Sequence, residues 1–308
     1  MDLAVGRGEV TGVVGESGCG KTTLGLAILG LLGRTRHICA GEIRLGGELI
    51  GAAGVERTAG LRGARMTFVP QDPFRSFDPL RQMGPQVRRP LELHRGLSRI
   101  EADERVADLL ARLGVAQPEA VMERYPHQLS GGLLQRAAIA TALSCGPELV
   151  IADEPTTALD ALVQVQVIES FRRLVRELGT SLVVITHDLR LLERMADRIA
   201  AMYAGRIVEF GPSGRLLAAP RHPYPAALLE SSVLAAEPGQ RLPTIDGQPP
   251  SLPGTFAACA FAPRCPRADE RCFSETPVYP WPANEGEACH HPLEEPRPAD
   301  AARTEAAA

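Results

Sequence analysis

Gly15-Glu16-Ser17-Gly18-Cys19-Gly20-Lys21-Thr22 fits the pattern G-x-x-x-x-G-K-[ST] without a gap. The residues before it, Val10 to Val14, read as a short buried strand, and Thr23 to Leu32 put Leu24, Ala27, Ile28 and Leu31 on one helical face. Strand, glycine-rich loop and helix are the context in which this pattern cradles phosphate. The glycines let backbone N–H groups close around phosphate oxygens, and the helix N-terminus adds its positive end. Lys21 is placed to reach the terminal phosphates and the Thr22 hydroxyl to ligate Mg²⁺, whereas Cys19 fills a position where only the backbone is needed. Lys21 is also the only lysine among the 33 basic residues. A chain that uses arginine everywhere else thus has a compact ammonium where one must fit between phosphates.

The 308 residues exceed one average domain, so a core with appendages is expected. A formal net charge of −4 argues against a nucleic-acid binder. The longest apolar run, Leu24 to Leu32, is too short to span a bilayer, and no leader pattern opens the chain. The expected compartment is the reducing cytosol, where seven cysteines are not a disulfide framework.

Working outward along the chain, Asp2 to Val5 is the one candidate strand before the Gly6-Arg7-Gly8 turn. Glu42 to Leu45 and Glu48 to Ile50 read as a hairpin across Gly46-Gly47. Met66 to Val69 is an apolar strand that delivers Gln71 to its end. From Phe74 to Leu129 the pattern turns helical, with a Ser98/Glu101 capping box and a buried stripe at Val106, Leu109, Leu110 and Leu113. Leu129-Ser130-Gly131-Gly132 opens another helix, at whose N-terminus Ser130 is either a cap or part of a second anion site. Leu149 to Asp153 is a run expected of a parallel strand buried on both faces, and it ends in the carboxylates of Asp153 and Glu154. A helix from Ala161 to Leu178 stops at Gly179, and its buried face is read at Leu162, Val165, Ile168, Val175 and Leu178. Leu182 to Thr186 carries His187 to the same edge, and Ile199 to Tyr203 pairs with Arg206 to Phe210 across Ala204-Gly205.

Composition then shifts: 13 of the 26 prolines lie after residue 237, so the tail is expected to be irregular. Cys259, Cys265, Cys272 and Cys289 fall within 31 residues there. Four clustered thiols in a reducing compartment point to a metal tying together a segment with little apolar surface of its own. Their spacing has no C-x-x-C knuckle of the zinc kind, although His290 and His291 keep zinc as a lesser option.

Gly15 to Thr22, Gln71, Leu129 to Arg136, Val150 to Pro155, Asp160 and His187, in this order and spacing, resemble the nucleotide-binding subunit of an ABC transporter. The resemblance implies an α/β fold in which residues 1–215 form a P-loop (RecA-like) ABC nucleotide-binding domain. A helical subdomain is expected at about 72–130, and a small irregular cysteine-containing extension at 216–308. It implies ATP on Gly15 to Thr23, Mg²⁺ on Thr22, Gln71 and Asp153, and a catalytic set of Glu154 as general base, Gln71 and His187. Leu129, Ser130, Gly131, Gly132, Gln135 and Asp160 would serve the ATP site of a partner subunit set head to tail. The family ordinarily has an adenine-stacking ring upstream of the loop, whereas none of the residues before Gly15 is aromatic.

A narrower resemblance covers almost the whole chain. Gln71 to Pro79, Tyr125-Pro126-His127-Gln128, Ile151 to Asp160, His222-Pro223-Tyr224 and Cys259 to Pro266 look like the dipeptide/oligopeptide importer ATPases. That implies a subunit at the cytoplasmic face of the membrane that powers uptake of peptides or similar small solutes. Its implied partners are a sister ATPase in a heterodimer, two transmembrane permease subunits and an extracytoplasmic substrate-binding protein. It also implies a 4Fe-4S cluster on Cys259, Cys265, Cys272 and Cys289. Two other readings are a non-hydrolysing regulatory subunit and a soluble ABC-type ATPase working on nucleic acid or ribosomes. The second needs coiled-coil arms or tandem cassettes and a basic surface, which the sequence lacks.

Overall fold

The computed structural model describes residues 1–33, 35–157, 159–232, 243–250, 257–283 and 285–294. Its elements begin with β1 (Val10–Val14), α1 (Lys21–Ile28), β2 (Glu42–Leu45), β3 (Glu48–Ala52), β4 (Val55–Glu56) and β5 (Met66–Val69). Four helices follow: α2 (Met83–Val87), α3 (Arg89–Arg95), α4 (Arg99–Arg112) and α5 (Pro118–Glu123). Next come α6 (Gly131–Leu143), β6 (Leu149–Asp153), α7 (Ala161–Leu178), β7 (Ser181–Thr186) and α8 (Leu189–Met195). The last are β8 (Arg198–Tyr203), β9 (Arg206–Pro212), α9 (Ser213–Ala218), α10 (Pro223–Glu230), α11 (Glu270–Ser274) and β10 (Gly286–Glu287). They fall into two compact units, one of Val5–Val10 with Thr22–Thr186 and one of Met1–Ala4, Thr11–Lys21 and His187–Ala308.

In the first unit β5, β6 and β7 run parallel, Met66 lying beside Leu149 and Leu149 beside Ser181. Every residue of β6 and β7 is buried, so the apolar runs are strands covered on both faces. The helical segment matches its reading closely. The Ser98 Oγ accepts from the Glu101 N–H at 3.4 Å while the Glu101 carboxylate accepts from the Ser98 N–H at 2.8 Å, and Val106, Leu109, Leu110 and Leu113 are all buried. The expected hairpin gains a third short strand, giving β2, β3 and β4 a sheet of their own. Helix α7 is capped by Asp160, whose carboxylate accepts from the Val163 N–H at 3.0 Å, and stopped by Gly179 at φ +64. Its buried stripe is Val167, Ile168, Phe171, Leu174 and Val175; of the face expected from the sequence, Ile168 and Val175 are buried, Val165 and Leu178 are half-buried, and the side chain of Leu162 lies outside the described residues.

In the second unit β1 lies parallel to β8, β8 antiparallel to β9 and β9 antiparallel to β10. The tail, expected to be irregular, thus supplies a strand to this sheet.

Two further expectations fail in this part of the fold. No strand forms at Asp2 to Val5. Helix α1 stops at Ile28, leaving Leu31 43% exposed while Leu29 is buried. The Gly30 N–H bonds to Ala27 O at 3.1 Å and the Leu31 N–H to Leu26 O at 2.7 Å, with Gly30 at φ +65. This is a left-handed helix stop, and periodicity counted through it assigns the wrong face.

Candidate nucleotide site

The loop between β1 and α1 is pressed against the end of β8. A Cβ on Gly15 would come within 2.2 Å of Met202 O, so only glycine allows this approach. The Gly205 N–H donates to Cys19 O at 2.9 Å. Ser17 and Gly18 form the exposed tip. Lys21 is buried and folds back, its Nζ donating to Gly15 O at 2.7 Å and Glu16 O at 3.0 Å. Backbone carbonyls thereby aim the ammonium along the loop. Cys19 is not the free position that the motif suggests: its side chain is buried, Lys21 Nζ lies 3.8 Å from its Sγ, and burial raises the thiol pKa.

The carboxylates sit in the other unit, at the end of β6. The Thr22 hydroxyl donates to Asp153 Oδ2 at 2.7 Å, which joins two of the three expected Mg²⁺ ligands directly. Asp153 is buried. Glu154 follows at φ +47, a left-handed conformation unusual outside glycine and frequent at functional turns. The twist turns consecutive carboxylates apart, Asp153 to Thr22 and Glu154 to the hydroxyls of Thr157, 3.0 Å away, and Thr186, 3.2 Å away. Thr157 lies within the Ile151 to Asp160 stretch but had no role assigned to it, and only the fold brings Thr186, at the end of β7, to Glu154.

Gln71 is exposed just beyond β5, and His187 is exposed just beyond β7. Ser130 is an exposed N-cap of α6, its Oγ accepting from the Leu133 N–H at 3.4 Å. Leu129 is buried beneath it, Gly131 and Gly132 are half-buried, and Asp160 is exposed. Gln135 does not join this surface. It is 1% exposed, with no hydrogen-bond partner for Nε2 among the described residues. Five residues at about 100° each carry it roughly 140° round the helix from Ser130, toward the core.

In the extension, Cys259, Cys265, Cys272 and Cys289 line one small cavity together with His222. Burial raises the pKa of all four thiols, Cys289 up to about 11, where its three neighbours add to the effect. Burial also pushes His222 down to about 3, leaving it neutral, and its Nδ1 accepts from the Tyr224 N–H at 3.0 Å. Among the described residues, the group of three ligand atoms mutually within 4.8 Å is Asp269, Cys272 and His291, and no three of the four sulfurs are that close. Tyr224 and Arg264, which the sequence places in stretches of family resemblance without a site role, both bond Glu16 of the phosphate loop.

The ABC transporter family model matches residues 1–157, and the model for the oligopeptide/dipeptide transporter C-terminal region matches residues 208–272. The dipeptide transport ATP-binding protein DppD of Escherichia coli is 39% identical over 296 residues, covering 96% of this chain and 90% of its own length. DppD of Haemophilus influenzae is 39% identical over 295 residues, covering 96% and 89%. Among solved structures, a dimeric post-hydrolysis state of the ATP-binding cassette MJ0796 with ADP and Pi superposes with a TM-score of 0.59 at 31% identity, covering 68% of this chain and 88% of that one. With its phosphate loop, its Thr22–Asp153 pair and its matched C-terminal region, the chain belongs to the ABC transporter family of ATP-binding subunits.

Proposed function

We propose that this chain hydrolyses ATP to drive import of dipeptides, oligopeptides or similar small solutes through separate membrane subunits. The observation that carries the reading is the direct Thr22–Asp153 bond beside a left-handed Glu154, found in a chain whose relatives are named dipeptide transport ATP-binding proteins. In this reading Gly15 to Thr23 hold the phosphates, with Lys21 neutralising the terminal charge. Thr22, Asp153 and Gln71 hold Mg²⁺, whose role is to polarise the phosphoryl oxygens. Glu154 takes a proton from the attacking water, oriented by Thr157 and Thr186, and His187 meets the γ-phosphate. Leu129 to Gly132 with Asp160 serve the partner's ATP site head to tail.

The domain plan is an ATPase core at 1–215 with a helical subdomain at about 72–130, and an extension from 216. No helix among the described residues is long and apolar enough to cross a membrane. In this reading the chain works peripherally, at the cytoplasmic face, as an ATP-binding subunit like its named relatives. A sister ATPase, two permeases and a substrate-binding protein complete the assembly.

The four cysteines fit a metal group. Buried thiols with mutually raised pKa values become thiolates only against a strong local cation. One tetrahedral zinc at about 2.3 Å from each sulfur would hold sulfurs roughly 3.8 Å apart, tighter than these four. In this reading the group is a 4Fe-4S cluster, which would cross-link the extension; the closer Asp269, Cys272, His291 group is what favours zinc instead.

The deciding experiment is purification with the native membrane partners under anaerobic conditions. Expected are a captured small peptide, ATP turnover stimulated by it, and iron and sulfide near four per chain. Stimulation by an unrelated solute only would overturn the peptide reading, and one zinc without iron would overturn the cluster while leaving the ATPase reading intact.

A further inference from the structure

The phosphate loop is gripped from two sides within one compact unit. On one side stand Met202 and Gly205 at the end of β8, as described above. On the other stand two residues of the C-terminal region. The Tyr224 hydroxyl accepts from the Glu16 N–H at 2.7 Å. The Arg264 guanidinium forks onto the Glu16 carboxylate, Nη1 to Oε2 at 2.6 Å and Nη2 to Oε1 at 2.9 Å.

Arg264 has no freedom to act elsewhere. Its side chain is 4% exposed, its Nε donates to Asp246 O at 2.8 Å, and its remaining contacts are Ile245 O at 3.2 Å and the Tyr203 hydroxyl at 3.2 Å. Tyr224 is equally fixed. Its ring packs 4.6 Å from Tyr203 and 5.5 Å from Phe261, and Tyr203 and Phe261 close the triangle at 5.3 Å. Phe261 lies between Cys259 and Cys265, and Arg264 directly precedes Cys265. The segment that carries two of the thiols is therefore the one that reaches Glu16. A bidentate, mostly buried carboxylate–guanidinium pair holds orientation as well as charge. Glu16 occupies a variable position of the phosphate motif, so the motif itself gives no reason for this clamp.

We propose that Arg264 and Tyr224 are positioning residues of the nucleotide site: by holding Glu16 they set the shape of the phosphate loop, so that nucleotide affinity depends on the order of the cysteine-bearing segment. The loop's glycines leave its backbone loose, and binding strengthens when the N–H groups are already aimed. Glu16 carries the constraint by its side chain and its own N–H, and its carbonyl accepts from the Cys19 N–H at 3.3 Å, so the clamp passes directly into the loop backbone that follows. Unclamped, the loop samples shapes that bind ATP poorly, and affinity falls by the populated fraction of the competent one. The proposal rests on the nucleotide reading of the loop.

The test is ATP affinity of the full-length chain, measured by calorimetry alongside its thermal melting. Lys21→Ala must abolish binding; if the wild type itself binds no ATP, the nucleotide reading falls and the clamp with it. Arg264→Ala is expected to weaken ATP binding about tenfold or more. Glu16→Ala should do the same, and the double variant should be no worse than either single one. A purely structural role for Arg264 would lower the melting temperature in both backgrounds and leave affinity within twofold, and that outcome overturns the proposal. Should Arg264→Ala not fold, Tyr224→Phe removes a single oxygen and is expected to weaken binding three- to tenfold; unchanged affinity there would sink the clamp as well.

Discussion

The end of β6, in one unit, and the segment around Arg264, in the other, both present charged groups, yet they are built by opposite means. Asp153 and Glu154 stand on five consecutive buried residues paired along their length to β5 and β7. Arg264 stands on a one-turn helix at Ala262–Arg264, held by Phe261, a few backbone carbonyls and Glu16 itself. Apolar burial over a whole strand gives a rigid platform that tolerates the strained Glu154. A proline-rich segment with little apolar area has to take its order from specific polar bonds, rings and thiols. The first region should therefore be robust in structure and fragile in chemistry, and the second the reverse.

The sharpest break of that comparison is Glu154→Gln, which keeps size and hydrogen bonding but removes the base. Turnover of the assembled complex should fall by ~10²-fold or more while ATP still binds and the fold is unchanged. Activity within a few-fold of wild type would take the proton-abstracting role away from this residue. Next in size is Phe261→Ala, which deletes the buried ring between Tyr203 and Tyr224. It should destabilise the chain by about 3–5 kcal/mol in urea titration, with limited proteolysis cutting the extension before the core. Equal cleavage of both regions would mean that they do not differ in the way described.

A finer probe is Thr186→Val, nearly isosteric, which removes the 3.2 Å bond to Glu154. About 1 kcal/mol is expected, read as a few-fold lower turnover at unchanged ATP affinity. Turnover equal to wild type would show that Thr157 and the left-handed backbone orient the base without Thr186. Smallest is Cys19→Ser. Because the buried sulfur lies near Lys21 and against the close approach of Gly15, a loss of about 1 kcal/mol or less in stability is expected, with ATP affinity changed no more than two- to threefold. A larger loss of affinity would make the side chain, not only the backbone, part of the cradle.

What the sequence determined by itself was every feature carried by local pattern. Parallel strands buried on both faces read as apolar runs, so β1, β5, β6 and β7 were legible to within a residue. Caps at Ser98 and Ser130 and the stop at Gly179 were legible because each satisfies backbone groups within four residues of itself, whereas the cap at Asp160 emerged only from the structure. The phosphate loop and the Asp153-Glu154 pair were legible because phosphate and metal chemistry require those residue types at short spacing. Tertiary structure alone decided the face of Leu31, the burial of Cys19 and Gln135, the pairing of Thr186 with Glu154, and the grip of Arg264 on Glu16. The last pair is 248 positions apart. A contact closed over such a loop leaves no periodicity behind, since the entropy of closing it is recovered by packing of the whole unit and not by any neighbour in the chain.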